Sequence, residues 1–322
     1  MARLAYLGSP PAAVAPLESL VAAGHEVALV VSRADTRRGR GSTLQPSAVK
    51  AAAQGLGLAV SDRLDDVLEV GAELAVVVAY GKIVPPRVLD ALDMINVHFS
   101  LLPRWRGAAP VERAILAGDA VTGVCVMRLE AGLDTGPVLA RDELAIGADE
   151  HAGALVERLS AAGAALVTEV LAGGVEGLGP GEAQEGEPTY AAKLDPGEFR
   201  LDWEQPAGSV QRVVRLDRAW TTFRGERLRV LDSRVGEATA AAGDPVSPPA
   251  PGRMFDAVGG EGTGIGEGTG PTKGPVVGCG SGWLELVSVQ PAGKKPMGAA
   301  DWRRGVRPEP GERLGDEGPA AG

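Results

Sequence analysis

The first thirty residues restrict the fold more than any other part of the chain, because strand-like and helix-like patterns alternate there. Arg3 to Leu7 and Glu26 to Val31 are short apolar runs that predict two buried strands. Between them, two prolines and apolar residues at helical spacing predict a helix that ends at Gly24. A strand, a helix and a strand in this order predict an α/β domain with a parallel sheet.

The first turn of this unit limits the functions that the domain can have. It contains Gly8-Ser-Pro-Pro11 and lacks the G-x-G-x-x-G pattern of dinucleotide-binding domains. The interpretation as an NAD dehydrogenase is therefore weakened. Two further apolar runs, Ala75 to Tyr80 and Ile95 to Phe99, predict additional strands of the same sheet, and Leu139 to Leu144 predicts a strand at its edge.

Two polar side chains occupy the end of one of these predicted strands. Asn96 and His98 are two residues apart, which places both side chains on one face of an extended strand. An amide and an imidazole can stabilise charge on a carbonyl oxygen, and the imidazole can also transfer a proton. A buried structural histidine beside a turn asparagine is the alternative that the spacing leaves open.

A carboxylate lies downstream, in the run Ala-Gly-Leu-Asp-Thr-Gly that ends at Gly136. Gly132 and Gly136 permit a tight loop around Asp134. If the loop folds back toward the strand end, Asp134 can pair with His98 and orient the imidazole.

Together these motifs resemble the folate-dependent formyltransferase family, and the resemblance extends from Leu4 to about Val306. The matching residues are Asn96-Val-His98, Ser100-Leu-Leu-Pro103 and Leu133-Asp134-Thr-Gly136. The run SLLPRWRGAAP, which begins at Ser100, is similar to the branch that acts on charged initiator tRNA. The resemblance implies a Rossmann-like N-terminal formyltransferase domain followed by a small OB-like β-barrel domain.

The resemblance also implies a reaction and residues for it. The enzyme would transfer the formyl group of 10-formyltetrahydrofolate to the α-amine of methionyl initiator tRNA, for translation initiation. Asn96, His98 and Asp134 would be catalytic. The folate would bind at the turn formed by Ser100, Leu101, Leu102 and Pro103. No G-x-S-x-G pattern marks an activated serine, so the amine is expected to attack the formyl carbon directly.

An arginine-rich loop follows the second predicted strand. Residues 32–46 include Arg33, Arg37, Arg38 and Arg40, and glycines flank the last of these. Such a loop suits phosphate contacts, although a solvated surface loop has the same composition. The resemblance implies insertion into the acceptor stem of tRNA, so Arg37, Arg38 and Arg40 are predicted to bind tRNA.

Composition changes predict the domain boundaries. We expect a catalytic domain over 1–180, a linker over 181–208, a tRNA-binding OB-like domain over 209–310 and a disordered tail over 311–322. Within an overall net charge of −10, residues 205–310 carry 14 Lys and Arg against 11 Asp and Glu, which is a modest indication of an anionic partner. The run 259–274 is rich in glycine and predicts a dispensable surface insertion.

The remaining features concern partners and location. The two cysteines, Cys125 and Cys279, match no metal-ligand spacing, so no metal is expected. Neither a signal peptide nor a long apolar segment is evident, which predicts a cytoplasmic protein without membrane contact. A monomer is expected.

Two other functions would use the same sequence features. A formyltransferase for a small amine, such as glycinamide ribonucleotide or an amino sugar nucleotide, would have the same catalytic residues. The arginine loop and the basic C-terminal region favour tRNA instead. A nucleic-acid-binding module with an inactive site is disfavoured by the intact Asn96, His98 and Asp134.

Overall fold

The chain folds into two compact units. The computed structural model describes residues 1–37, 44–236, 250–255 and 274–316. The first unit comprises Met1–Ala114, Asp119–Ile146 and Ala154–Lys193, and the second comprises Ile115–Gly118, Gly147–Gly153 and the chain from Leu194 onward. The predicted linker, 181–208, is thus divided between the two units at Lys193.

The first unit is built on a seven-stranded sheet in the order β10-β9-β7-β6-β1-β2-β5. The strands of the first unit are β1 (Arg3–Gly8), β2 (Glu26–Val31), β3 (Thr36–Arg37), β4 (Leu44–Gln45), β5 (Val60–Ser61), β6 (Leu74–Val78), β7 (Met94–His98), β8 (Arg106–Gly107), β9 (Val121–Arg128), β10 (Val138–Ala145) and β11 (Tyr190–Ala191). Of these, β3 pairs with β4 and β8 pairs with β11 in two separate two-stranded sheets. Strands β5, β2, β1, β6 and β7 run parallel, whereas β9 and β10 are antiparallel additions. The predicted parallel sheet and its edge strand are confirmed.

The helices α1 (Val14–Ala22), α2 (Ala48–Gly55) and α3 (Pro86–Leu89) lie between successive parallel strands, whereas α4 (Pro110–Ala117) precedes β9 and α5 (Ala152–Val170) follows β10. The Ser47 hydroxyl caps α2 by accepting the Lys50 N–H at 2.9 Å, which satisfies one of the backbone donors that a helix start leaves unpaired. Strand β7 is buried along its whole length, so polar side chains on it are held in a largely dry environment.

The second unit is an antiparallel β domain with a six-stranded sheet. Its elements are α6 (Ala207–Val214), β12 (Trp220–Phe223), β13 (Glu226–Gly236), β14 (Met254–Phe255), β15 (Val276–Gly278), β16 (Trp283–Pro291), β17 (Met297–Gly298) and α7 (Ala299–Val306). Burial alternates along β12 and along the first half of β13, as expected when one sheet face packs on a core and the other faces solvent. The predicted C-terminal β domain is confirmed.

The prediction of a disordered tail from residue 311 is wrong for residues 311–316. Leu314 is only 2% exposed and belongs to the core of the second unit. The Leu314 and Gly315 N–H groups donate to the Gly252 and Thr222 carbonyls at 2.8 and 2.9 Å. One apolar side chain and two backbone bonds therefore order a segment whose composition suggested disorder. Residues 317–322 and nearly all of the glycine-rich run 259–274 lie outside the described residues.

Candidate active site

Strand β7 carries the two polar residues that the sequence singled out. It lies between β6, its parallel neighbour, and β9, its antiparallel neighbour. Asn96 and His98 are 8% and 6% exposed. The carboxyl ends of β1, β2, β6 and β7 meet at one edge of the sheet, where open α/β sheets place their ligand crevice. His98 ends its strand at this edge.

The His98 ring is fixed by a backbone group. Its Nε2 lies 2.9 Å from the Trp105 carbonyl oxygen. A carbonyl oxygen can only accept, so Nε2 carries the hydrogen of this bond. In the neutral ring, Nδ1 is then the proton acceptor. Nδ1 lies 3.8 Å from Oδ2 of Asp134, with the side chains 7% and 12% exposed. That distance is longer than a hydrogen bond, and the carboxylate attracts the ring only when Nδ1 carries a proton, in a site where little solvent screens the two charges.

The Asn96 side chain is available to a ligand. Among the residues that the structure describes, none forms a hydrogen bond with its amide, although the residue is 8% exposed. Its amide is not among the fully enclosed side-chain atoms that lack a partner, so it opens toward solvent, where a ligand can reach it. An incoming carbonyl oxygen would supply the missing acceptor for the amide N–H.

Asp134 is presented by a strained loop between β9 and β10. Its φ of 50° lies in the left-handed region, which non-glycine residues rarely adopt. A Cβ at Gly136 would come within 2.0 Å of the Arg128 carbonyl oxygen, so the loop requires glycine there. Oδ2 of Asp134 accepts the Gly107 N–H at 2.7 Å. The loop therefore returns the carboxylate to the end of β7, which is the condition for an interaction with His98.

In the turn from Ser100 to Pro103, some side chains already have partners within the protein. The Ser100 hydroxyl is fully buried and donates to the Arg104 carbonyl at 2.6 Å. The Leu102 side chain packs with Cys125, Met127 and Val138. Burial raises the pKa of the Cys125 thiol, as expected for an inert core cysteine. What this turn offers to a ligand is its backbone and Leu101 rather than the Ser100 hydroxyl.

Residues 184–191 also build the site, although the sequence prediction placed them in a linker. Strand β11 pairs in parallel with β8. The Thr189 hydroxyl accepts the Trp105 N–H at 2.9 Å, and its carbonyl accepts the Arg106 N–H at 2.8 Å. This segment supports the backbone from Pro103 to Gly107, which includes the carbonyl that holds His98. No periodicity marks it, because its strand is two residues long.

The arginine loop is described only at its two ends. Arg37 is exposed on β3, which pairs with β4 across the loop. Arg38 and Arg40 lie outside the described residues. Because β2 and β7 run in the same direction within the sheet, the chain that follows β2 leaves from the same edge that His98 faces.

A second candidate surface lies on the outer face of the second unit. Trp220 and Arg229 are register partners in β12 and β13, and their neighbours Thr221 and Leu228 point into the core. The Arg227 and Arg200 guanidinium groups lie 4.4 and 5.7 Å from the Trp220 ring centroid. We call Arg200, Trp220, Arg227 and Arg229 the arginine–indole face. Arginine beside an aromatic plane is suited to phosphates and stacked bases.

Across the described ranges of the chain, no group of three or more His, Cys, Asp or Glu side chains could hold a metal ion. In the same ranges, none of the helices has the length and apolar character required to cross a bilayer.

Comparison with known proteins defines the class. The family model described as formyl transferase matches residues 2–171, and the model for the formyl transferase C-terminal domain matches residues 193–307. The chain therefore belongs to the formyl transferase family.

Individual relatives indicate which members of the family the chain is similar to. The chain is 45% identical to the methionyl-tRNA formyltransferase of Dinoroseobacter shibae, over 94% of this chain and 97% of the relative. It is 46% identical to the methionyl-tRNA formyltransferase of Clavibacter michiganensis over the same shares of the two chains. A solved N-formyltransferase from Helicobacter canadensis, in complex with folinic acid and dTDP-3-aminofucose, shares the fold with a TM-score of 0.64. That alignment covers 89% of this chain and 99% of the other, at 14% identity.

Proposed function

We propose that the protein transfers the formyl group of 10-formyltetrahydrofolate to the α-amine of methionyl initiator tRNA. The observation that carries the proposal is similarity of 41–46% identity to methionyl-tRNA formyltransferases along almost the whole chain. The site at the end of β7 holds groups with the chemistry that this reaction requires.

The reaction is a direct displacement at the formyl carbon. The amine nitrogen forms a bond to that carbon, the bond to N10 of the folate breaks, and its electron pair and a proton go to N10. During the attack the formyl oxygen gains negative charge. The Asn96 amide, which has no other partner among the described residues, donates to this oxygen.

His98 acts as the proton acceptor for the attacking amine. Since Nε2 donates to the Trp105 carbonyl at 2.9 Å, Nδ1 is the basic nitrogen. The imidazolium that forms faces the Asp134 carboxylate at 3.8 Å. The carboxylate stabilises this charge and thereby favours proton transfer.

The folate is the formyl donor and binds beside the turn from Ser100 to Pro103. The buried Ser100 hydroxyl bonds to the Arg104 carbonyl, so this turn binds the donor through backbone groups and Leu101. The fit of the donor to the site is supported by the Asn96 amide, which lacks a partner that a formyl oxygen would supply. Holding amine and formyl carbon in contact supplies much of the rate.

The tRNA contacts come from Arg37, Arg38 and Arg40 and from the arginine–indole face. The chain segment that carries Arg37 leaves the seven-stranded sheet after β2, at the edge that His98 faces. This position suits a contact near the aminoacyl end of the tRNA. The arginine–indole face offers cations and a ring to the phosphate backbone and bases. On this proposal the protein acts in the cytoplasm, where initiator tRNA is charged. It acts as a monomer, because one chain carries Asn96, His98 and Asp134.

The test offers two amines to one enzyme. The protein is incubated with 10-formyltetrahydrofolate carrying a labelled formyl group, and charged initiator tRNA or glycinamide ribonucleotide is added. We expect label only on methionyl-tRNA. Label on glycinamide ribonucleotide alone would assign a small-amine formyltransferase, and label on neither would refute formyl transfer to both. Size-exclusion chromatography with light scattering tests the monomer.

A further inference from the structure

One side chain outside the proposed catalytic groups uses its entire hydrogen-bonding capacity at the site. The Gln184 Nε2 donates to the carbonyls of Asp134 and Gly136, both at 2.8 Å. The Gln184 Oε1 accepts from Nε and Nη2 of Arg106 at 3.0 and 2.6 Å. A glutamine amide has two donor hydrogens and two acceptor lone pairs, so no capacity remains for a substrate.

The two donor bonds hold the loop that presents Asp134. They attach to the carbonyl of Asp134, the residue whose φ is 50°, and to the carbonyl of Gly136, two residues further on. Such a conformation persists only where the surroundings impose it. The Gln184 amide is therefore part of what keeps the Asp134 backbone in place.

The two acceptor bonds attach the same amide to the other side of the site. Arg106 precedes Gly107, whose N–H donates to Oδ2 of Asp134 at 2.7 Å. Gln184, the Asp134 backbone, the Asp134 carboxylate, Gly107 and Arg106 thus form a closed ring of contacts. A closed ring leaves the carboxylate little freedom to move relative to its neighbours.

We propose that Gln184 is a positioning residue for formyl transfer, which sets the Asp134 carboxylate at its working distance from His98. This inference rests on the proposed role of Asp134 in supporting proton transfer. Gln184 touches neither reacting atom and acts only through Asp134. Loss of its bonds lets the carboxylate drift from the imidazole, and a small displacement of a catalytic group lowers turnover strongly.

Two substitutions separate the halves of this contact. Gln184→Met keeps the length of the side chain and removes all four bonds. Gln184→Glu keeps the acceptors for Arg106, but it replaces the donors with a carboxylate oxygen that repels the Asp134 and Gly136 carbonyls.

Both variants are expected to lower kcat by roughly 10- to 100-fold. We expect the KM values for folate and tRNA to change by less than about twofold, because the Gln184 amide has no donor or acceptor left for a substrate. Glu185→Gln, at an exposed neighbouring position, is the matched control and should retain full turnover.

Coupling to Asp134 distinguishes positioning from general support of the fold. In an Asp134→Ala background, adding Gln184→Met should lower kcat by less than about threefold, because the group that it positions is already absent. The proposal would be overturned if the double variant showed the product of the two kcat losses measured for Asp134→Ala and Gln184→Met alone. It would also be overturned if Gln184→Met left kcat unchanged while Asp134→Ala lowered it, or if neither Gln184 variant folded by circular dichroism. Full turnover in Asp134→Ala would instead refute the proposed role of Asp134.

Discussion

The Nε2 of His98 lies 2.9 Å from the backbone carbonyl of Trp105, so a peptide group rather than a side chain selects the tautomer of this ring. Trp105 is itself held in place, because its indole Nε1 donates to Asp119 at 2.8 Å. Asp119 also accepts from Arg104 at 2.8 and 2.6 Å, and this contact raises the Arg104 pKa. The orientation of the imidazole therefore depends on a bonded loop that begins directly after β7.

Replacement of His98 tests whether proton transfer depends on Nδ1. His98→Gln places an amide N–H near the original position of Nε2, so the bond to Trp105 can be retained while the base is lost. We expect kcat to fall by roughly 10²- to 10⁴-fold with the melting temperature nearly unchanged. His98→Ala should be similarly slow and less stable, because it also removes the 2.9 Å contact between the ring and the Trp105 carbonyl. Single-turnover formylation of methionyl-tRNA measures the effect, and near-normal turnover in folded His98→Gln would exclude His98 as the base.

Replacement of Asn96 tests whether its amide stabilises the negative charge that develops on the formyl oxygen. Asn96→Ala removes the donor and should lower kcat by roughly 10²- to 10³-fold. Asn96→Asp preserves the shape but places a carboxylate where negative charge develops, so it should be slower than Asn96→Ala. Saturation kinetics for both substrates separates turnover from binding. An Asn96→Asp enzyme as active as wild type would show that the formyl oxygen lies elsewhere.

Local sequence patterns predicted part of this site, and the rest depends on contacts between residues that are far apart in the sequence. Asn96 and His98 are visible in the sequence because strand alternation places them on one face. The Asp134 loop is visible through its glycines. The contributions of Trp105 and Gln184 are not visible, since one acts through a carbonyl and the other bonds to residues about fifty positions away. The same reason explains the error at Leu314, whose ordering depends on strands far from it in sequence.

The ordered C-terminal segment predicts a dependence of stability on pH. Arg224 forms a bidentate pair with Glu312 at 2.6 and 2.8 Å and, with a backbone bond at Glu309, lowers the Glu312 pKa from 4.5 to about 2. A lowered folded-state pKa stabilises the protein above the unfolded-state pKa. This stabilisation is lost as the pH falls through the folded-state value.

The comparison is between wild type and Glu312→Gln. The wild type should melt at a higher temperature at pH 6, and the difference should shrink steadily between pH 4.5 and about 2. Differential scanning fluorimetry across this range measures it, with the exposed Glu226→Gln as control. A difference independent of pH would show that the pair does not link protonation to folding.

The arginine–indole face gives the sharpest test of tRNA contact by the second unit. Arg227 lies 4.4 Å from the Trp220 ring centroid, and both are on the outer face of the sheet. Because the Arg227 side chain is exposed, Arg227→Ala should leave the melting temperature nearly unchanged. It should raise the KM for methionyl-tRNA and reduce the slope of log affinity against log salt by about 1, since one phosphate contact is lost.

Two further variants complete this test. Trp220→Leu should weaken tRNA binding with little change in the salt slope, because it removes stacking rather than charge. Arg304→Ala, which removes an exposed arginine paired with Asp301 on α7, is the matched control. Folate KM should be unchanged in all three variants. Equal tRNA affinity and equal salt slope in wild type and Arg227→Ala would show that the arginine–indole face does not bind tRNA.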